Sequence, residues 1–328
     1  MKLNMKLKTK LKIKLKKYLG LFIVLVVIGG AISLFALRDR TGNNNTSTSN
    51  TSNASNNAAS TTLTPAQSIT HGHGLAVDVL DPNKLYIATH HGLLVLIQDK
   101  DLYQVGTSGD DFMGFSAHPT DANMFFSSGH PRTGGNIGFQ KSEDGGFTWV
   151  KVSDGENGPV DFHSMAISPV NPNLMFGWFQ ENLQRSTDQG ANWQIVSSEL
   201  SPINIVADSQ DENVVYASSS QEQGVMVSRD KGVSWSPLSA KLTGGAVSVI
   251  AVHLKDSNIL FAFSEKLGGL GKSIDAGKTW TKIDESFNQE LILHIALSKI
   301  DPNIVYALTA ENKVYKSTDT GETWMLIR

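Results

Sequence analysis

SEDGGFTW (142–149), STDQGANW (186–193), SRDKGVSW (228–235), SIDAGKTW (273–280) and STDTGETW (317–324) are five copies of one pattern, Ser-x-Asp-x-Gly-x-x-Trp. A second pattern alternates with it: DPNKLYIA (81–88), DANMFFSS (121–128), NPNLMFGW (171–178), DENVVYAS (211–218), DSNILFAF (256–263) and DPNIVYAL (301–308). Both recur every 40 to 50 residues, which marks an array of one supersecondary unit. The six Asn positions give six units. The first has lost its Ser-x-Asp box, and VLIQDKDLYQVG stands in its place.

Each unit carries four short β-rich segments broken by turn residues, LAVDV, KLYIAT, LLVLI and DLYQV in the first. Four strands per unit fit one blade of a β-propeller. In the box, Gly supplies a positive φ at a hairpin tip, and the carboxylate accepts backbone N–H groups inside the turn. Trp149, Trp193, Trp235, Trp280 and Trp324 close the boxes, so five of the six Trp serve the repeat. Asp144, Asp188, Asp230, Asp275 and Asp319 are therefore structural, since equivalent carboxylates spread around a ring cannot converge on one substrate. The expected fold is all-β, a six-bladed propeller over residues 69–328. It closes without a shared blade unless residues 60–69 add a strand.

The box resembles the Asp-box (BNR) repeat of sialidases, sortilin-type domains and photosystem assembly factors, and the resemblance covers essentially all of 69–328. It implies the propeller, and it brings bacterial glycosyl hydrolase-like proteins into view.

The first 68 residues have a different character. Segment 1–17 is basic, with eight Lys. YLGLFIVLVVIGGAISLFAL (18–37) has no charge, and twenty helical residues match a hydrocarbon core of about 30 Å. The run is longer than a secretory h-region and lacks an A-x-A site. The Lys excess before it puts the N-terminus in the cytoplasm. This predicts a single-pass signal-anchor, with the propeller extracytoplasmic at the cell membrane; a cleaved signal peptide is the alternative. Residues 38–68, rich in Asn, Ser and Thr, are expected to form a flexible linker.

The overall charge of -3 hides an asymmetry: residues 69–328 carry about -12. That disfavours a nucleic-acid partner, whose affinity rests on phosphate neutralisation. The absence of Cys excludes disulfides, thiolate metal sites and a Cys nucleophile. There is no GxxxxGK[ST], no GxGxxG between strand and helix, and no GxSxG. The expected propeller is a monomer.

Strand alternation puts the two motif turns on one face. The other face carries the connections between second and third strands and those between blades, so departures from the repeat there mark function. Seven of the nine His fall on it: His71, His73, His90 and His91 in blade 1, His130 in blade 2, His163 in blade 3 and His294 in blade 6. His73 and His163 share one offset, ten residues before the motif Asn, where blade 2 has Met113. His118 and His253 share another, five before it, and belong to turns. Asp110, Asp111, Asp161, Arg132 and Trp178 accompany the seven. Imidazoles beside carboxylates suit a divalent metal, with His71, His73 and His163 as candidate ligands. They equally suit acid–base work, with Asp111, Asp161 and His163 as catalytic candidates.

Three functions follow. The first is an anchored propeller binding a glycan, peptide, metal or protein through His71, His73, His90, His91, His130, Arg132, Asp161, His163, Trp178 and His294. The second is a glycoside hydrolase-like enzyme using the same face. A sialidase would require an arginine triad, and of Arg132, Arg185, Arg229 and Arg328 only Arg132 is well placed. The third is an assembly scaffold for a membrane complex, as the photosystem-factor resemblance implies, although this domain is acidic and Arg-poor.

Overall fold

The computed structural model describes residues 61–328 apart from 220–221, 284–286 and 288–289. The basic segment, the span 18–37 and most of the linker lie outside the described residues. Six antiparallel sheets follow one another along the chain, five of four strands and the first of five. The inner strands are Gly72–Val77, Asp111–Ala117, Ser164–Ile167, Pro202–Ala207, Val247–Val252 and Ile292–Leu297. They surround a central channel of ≈ 340 Å³, and each packs on the next around the ring, the sixth against the first. The six-bladed propeller expected from the repeat is what forms.

The boxes explain the blade hairpins. In the first, Ser142 Oγ donates to Asp144 Oδ1 (2.8 Å) and accepts from Gly146 N (2.9 Å). Asp144 Oδ1 also accepts from Thr148 N at 2.9 Å, and the Trp149 indole donates to the Gly146 carbonyl at 3.1 Å. The same bonds recur at Asp188, Asp230, Asp275 and Asp319. Box glycines 146, 190, 232, 277 and 321 all have φ between +80 and +93°. A Cβ on Gly190 would lie 1.9 Å from the Phe139 ring of the preceding blade, so Gly is also needed for blade-to-blade contact.

The turns between first and second strands, on the same face as the boxes, use an acceptor five residues before the motif Asn. Asp78 and Asp208 supply it in blades 1 and 4. His118 Nδ1 accepts from Asp121 N, and His253 Nδ1 from Asp256 N, both at 3.1 Å. These two His are turn residues, as their shared offset predicts.

Residues 64–65 do add a strand, but at the outer edge of blade 1, where Thr64 pairs with Gln104 and Pro65 with Tyr103. The folded unit thus reaches into the segment expected to be linker, because Ala66 N finds the Leu102 carbonyl (2.9 Å) and Ile69 is buried. No blade is shared between the two ends. Side chains clasp the seam instead. Asp99, in the turn that lost its box, receives Tyr306 Oη (2.9 Å) and Lys316 Nζ (2.6 Å) from blade 6. Arg328 reaches the Gln67 and Lys100 carbonyls at 2.9 and 3.1 Å.

Candidate functional site

Seven of the residues singled out on the connection face fall into two adjoining clusters at the channel mouth. The first is built on blade 1. His71 precedes the inner strand with φ 43°, a left-handed conformation unusual for a side chain with a Cβ. His73 occupies the bulge between the Gly72–Thr89 and Gly74–Ala88 pairs. His90 sits at the tip of the next hairpin. Their rings gather with centroids 4.2 to 4.9 Å apart. His73 Nε2 lies 3.1 Å from His90 Nε2, and His90 Nδ1 lies 2.5 Å from Asp111 Oδ2. Asp111, opening the inner strand of blade 2, also brings Oδ1 to 3.7 Å from His73 Nε2.

The second cluster joins blades 2 and 3. Asp161 Oδ2 lies 2.8 Å from His130 Nε2 and 2.7 Å from His163 Nε2. The loop carrying Asp161 is pinned on both sides. Val160 N donates to the Asp154 carbonyl (2.8 Å), Gly138 N to the Val160 carbonyl (3.0 Å), and Phe162 N to Ser128 Oγ (2.9 Å). Val160 and Phe162 are fully buried, which fixes the carboxylate between them at 3% exposure. His130 Nδ1 donates to the Gly135 carbonyl (3.0 Å), which leaves Nε2 facing Asp161.

Three buried polar atoms in these clusters make no hydrogen bond: Asp111 Oδ1, Asp161 Oδ1 and His163 Nδ1. Buried polar atoms in proteins are ordinarily paired. Burial pushes the His73 pKa well below the ordinary imidazole value, with the neighbouring His90 and His71 adding to it. His71 moves the same way, mainly through burial and His90. His130 goes the other way, to about 9, chiefly through its hydrogen bond to Asp161 against the effect of burial. Burial alone would raise the Asp161 pKa, but the His130 and His163 bonds outweigh it and hold the carboxyl below the usual range.

The candidate set from sequence is thereby divided. His71, His73, His90 and Asp111 come together, and so do His130, Asp161 and His163. The expected trio His71, His73 and His163 is split between the clusters. His91 is exposed beside the first, with its backbone N–H on Thr89 Oγ1. Arg132 is exposed at the rim, its backbone N–H on Asp110 Oδ1 (3.2 Å), and Asp110 is further engaged by Ser108 Oγ (2.9 Å). Trp178 stays out: its indole donates to the Leu200 carbonyl (3.1 Å) and packs between blades 3 and 4.

His294 belongs to the seam. At its offset, nine before the motif Asn, Ser164 Oγ and Asn204 Oδ1 accept the backbone N–H of Ile205 and Ile250 in the following blade (2.8 and 3.0 Å). His294 also bonds the following blade's backbone, but as a donor to the Gly72 carbonyl, and burial lowers its pKa to about 4 despite that bond. Sequence reasoning missed this interblade role, although the shared offset with Ser164 and Asn204 carries the signal. It also missed the Gly135 carbonyl, which no side-chain pattern reveals.

The class of molecule is an Asp-box β-propeller. A Sortilin-Vps10 family model, described as "Sortilin, neurotensin receptor 3", matches residues 268–328. No curated protein matches the chain. Among solved structures, the chain is similar to a GH74 xyloglucanase from Xanthomonas campestris, with 18% identity and a TM-score of 0.56; 81% of this chain aligns with 46% of that one. It thus spans about half the length of that enzyme. It is also similar to YCF48 bound to a D1 peptide, at 14% identity and a TM-score of 0.52, covering 81% of this chain and 84% of that one. A third likeness is a chain of a nidogen/laminin complex, at 10% identity and a TM-score of 0.57, covering 74% and 91%.

Proposed function

We propose that this chain is a membrane-anchored, extracytoplasmic propeller that binds a ligand at the channel mouth on blades 1–3. One observation carries the reading: seven donor side chains from three blades converge there, and three of their buried polar atoms make no hydrogen bond. The similar YCF48 and nidogen/laminin structures contain a bound peptide and a protein partner, which makes a polypeptide ligand compatible with this architecture. The hydrolase reading finds less support. Asp161, held ionised between two His, is unsuited to the general-acid half of glycoside hydrolysis.

The absence of Cys makes the test clean. Lys278→Cys in the full chain should react with a membrane-impermeant maleimide on intact cells; labelling only after lysis would overturn the extracytoplasmic placement. A photo-cross-linking residue at Thr133, on the proposed face, should capture ligand that the same residue at Lys278, on the opposite face, does not. Equal capture at both would overturn the face assignment.

A further inference from the structure

We propose that the two clusters are two adjacent seats for divalent transition-metal ions. The first seat is His71, His73, His90 and Asp111; the second is His130, His163 and Asp161. The proposal rests on reading this face as the binding surface and names what it binds.

The donor atoms are spaced for a metal. Within each trio, His71–His73–His90 and His130–Asp161–His163, they all lie within 4.8 Å of one another. Ligand atoms around a tetrahedral Zn²⁺ with bonds of 2.0–2.1 Å are separated by about 3.3 Å. His73 Nε2 and His90 Nε2 stand 3.1 Å apart, and His73 Nε2 and Asp111 Oδ1 3.7 Å. His73 Nε2 is almost equidistant from both ring nitrogens of His90, at 3.1 and 3.2 Å, and the two rings meet edge to face.

The second seat adds an outer shell. The Gly135 carbonyl fixes the His130 ring with Nε2 inward, as a carbonyl behind a metal-bound imidazole does. Asp161 Oδ1 is buried without a partner in a residue 3% exposed, so the carboxylate has an oxygen reserved for something else. Imidazole and carboxylate without thiolate select the Zn²⁺, Cu²⁺ and Ni²⁺ class over alkaline-earth ions, which take oxygen ligands.

The two seats meet at blade 2. Asp111 of the first and His130 of the second are register partners across the same strand pair. Two ions seated there would be neighbours, held in place by a single sheet end.

The test is Zn²⁺ titration of the full chain, stripped with a chelator, by calorimetry and elemental analysis. Two equivalents should bind. His90→Asn should leave one, Asp161→Asn should leave one, and the double variant none. His91→Ala, outside both seats, should keep two. Circular dichroism and thermal melting in EDTA distinguish a lost seat from a lost fold. Co²⁺ loading provides a second readout, with visible d–d bands and no sulfur charge transfer, halved in either single variant. A single equivalent in the parent chain, or two retained by both single variants, overturns the proposal. If Zn²⁺ fails to bind while Thr133 still cross-links selectively, the metal assignment falls and the face assignment stands.

Discussion

Asp111 and His130 face each other as the terminal register pair of the first two strands of blade 2, yet their side chains serve different clusters: Asp111 turns to His90, and His130 to Asp161. Gly129 makes this divergence possible. Its φ is +141°, and a Cβ there would stand 1.9 Å from the Asp111 carbonyl oxygen. Gly129→Ala should therefore push the two strand ends apart. The expected result is a loss of at least about 1–3 kcal/mol in denaturant unfolding, with Zn²⁺ stoichiometry falling below two. Unchanged stability would mean that the strand end accommodates the methyl group freely.

The buried box serines are predicted to matter more than serines on the surface. Ser228 Oγ is buried, donates to Asp230 Oδ1 (2.7 Å) and accepts from Gly232 N (2.8 Å). Ser228→Ala leaves that N–H without an acceptor and should cost about 1–3 kcal/mol by urea unfolding. The exposed Ser198→Ala should cost much less, and equal costs would refute the role given to the box.

Acid should loosen the boxes. Hydrogen bonds to Asp230, from the Ser234 hydroxyl first and its backbone N–H next, lower its pKa from 3.8 to about 2. Thr279 does the same for Asp275, also to about 2. A carboxylate whose folded pKa is depressed contributes stability above its unfolded pKa and loses it as pH falls through the folded one. Melting temperature should therefore drop between about pH 4 and pH 2. Asp275→Asn should make that drop shallower, and an unchanged slope in the variant would contradict the assignment.

The seam pair gives a fourth prediction. The Lys316 side chain is 6% exposed, and Asp99 neutralises it at 2.6 Å. Asp99→Ala leaves the buried ammonium without its counter-charge, held by the neutral Asn83 Oδ1 (2.8 Å), and should cost about 3 kcal/mol. Glu143→Ala removes a surface partner of Lys141 and should cost under about 1 kcal/mol. Combining Asp99→Ala with Lys316→Met should recover part of the loss in thermal melting.

The fold was legible because the box is a local device: Ser, Asp, Gly and Trp satisfy one another within eight residues, so the pattern survives in the letters. The site was legible only in part. Offset counting puts His73 and His163 at one level, but blade 2 intervenes with Met113 there, and each His pairs with its own neighbours. Which donors meet depends on side-chain direction at strand ends, as with Trp178, whose indole turns away to the Leu200 carbonyl. His294 misleads for a related reason: it stands one residue past the offset of His73 and His163, at the level of Ser164 and Asn204, where side chains stitch blades together.

Because every blade is woven from one uninterrupted stretch of chain, no sheet would be orphaned if the ring were cut elsewhere. A circularly permuted gene opening between blades 3 and 4 would still encode six whole sheets, with the three that build the two clusters carried as a single cassette. Such a cassette could be duplicated, swapped or grafted onto another propeller without redesigning its neighbours.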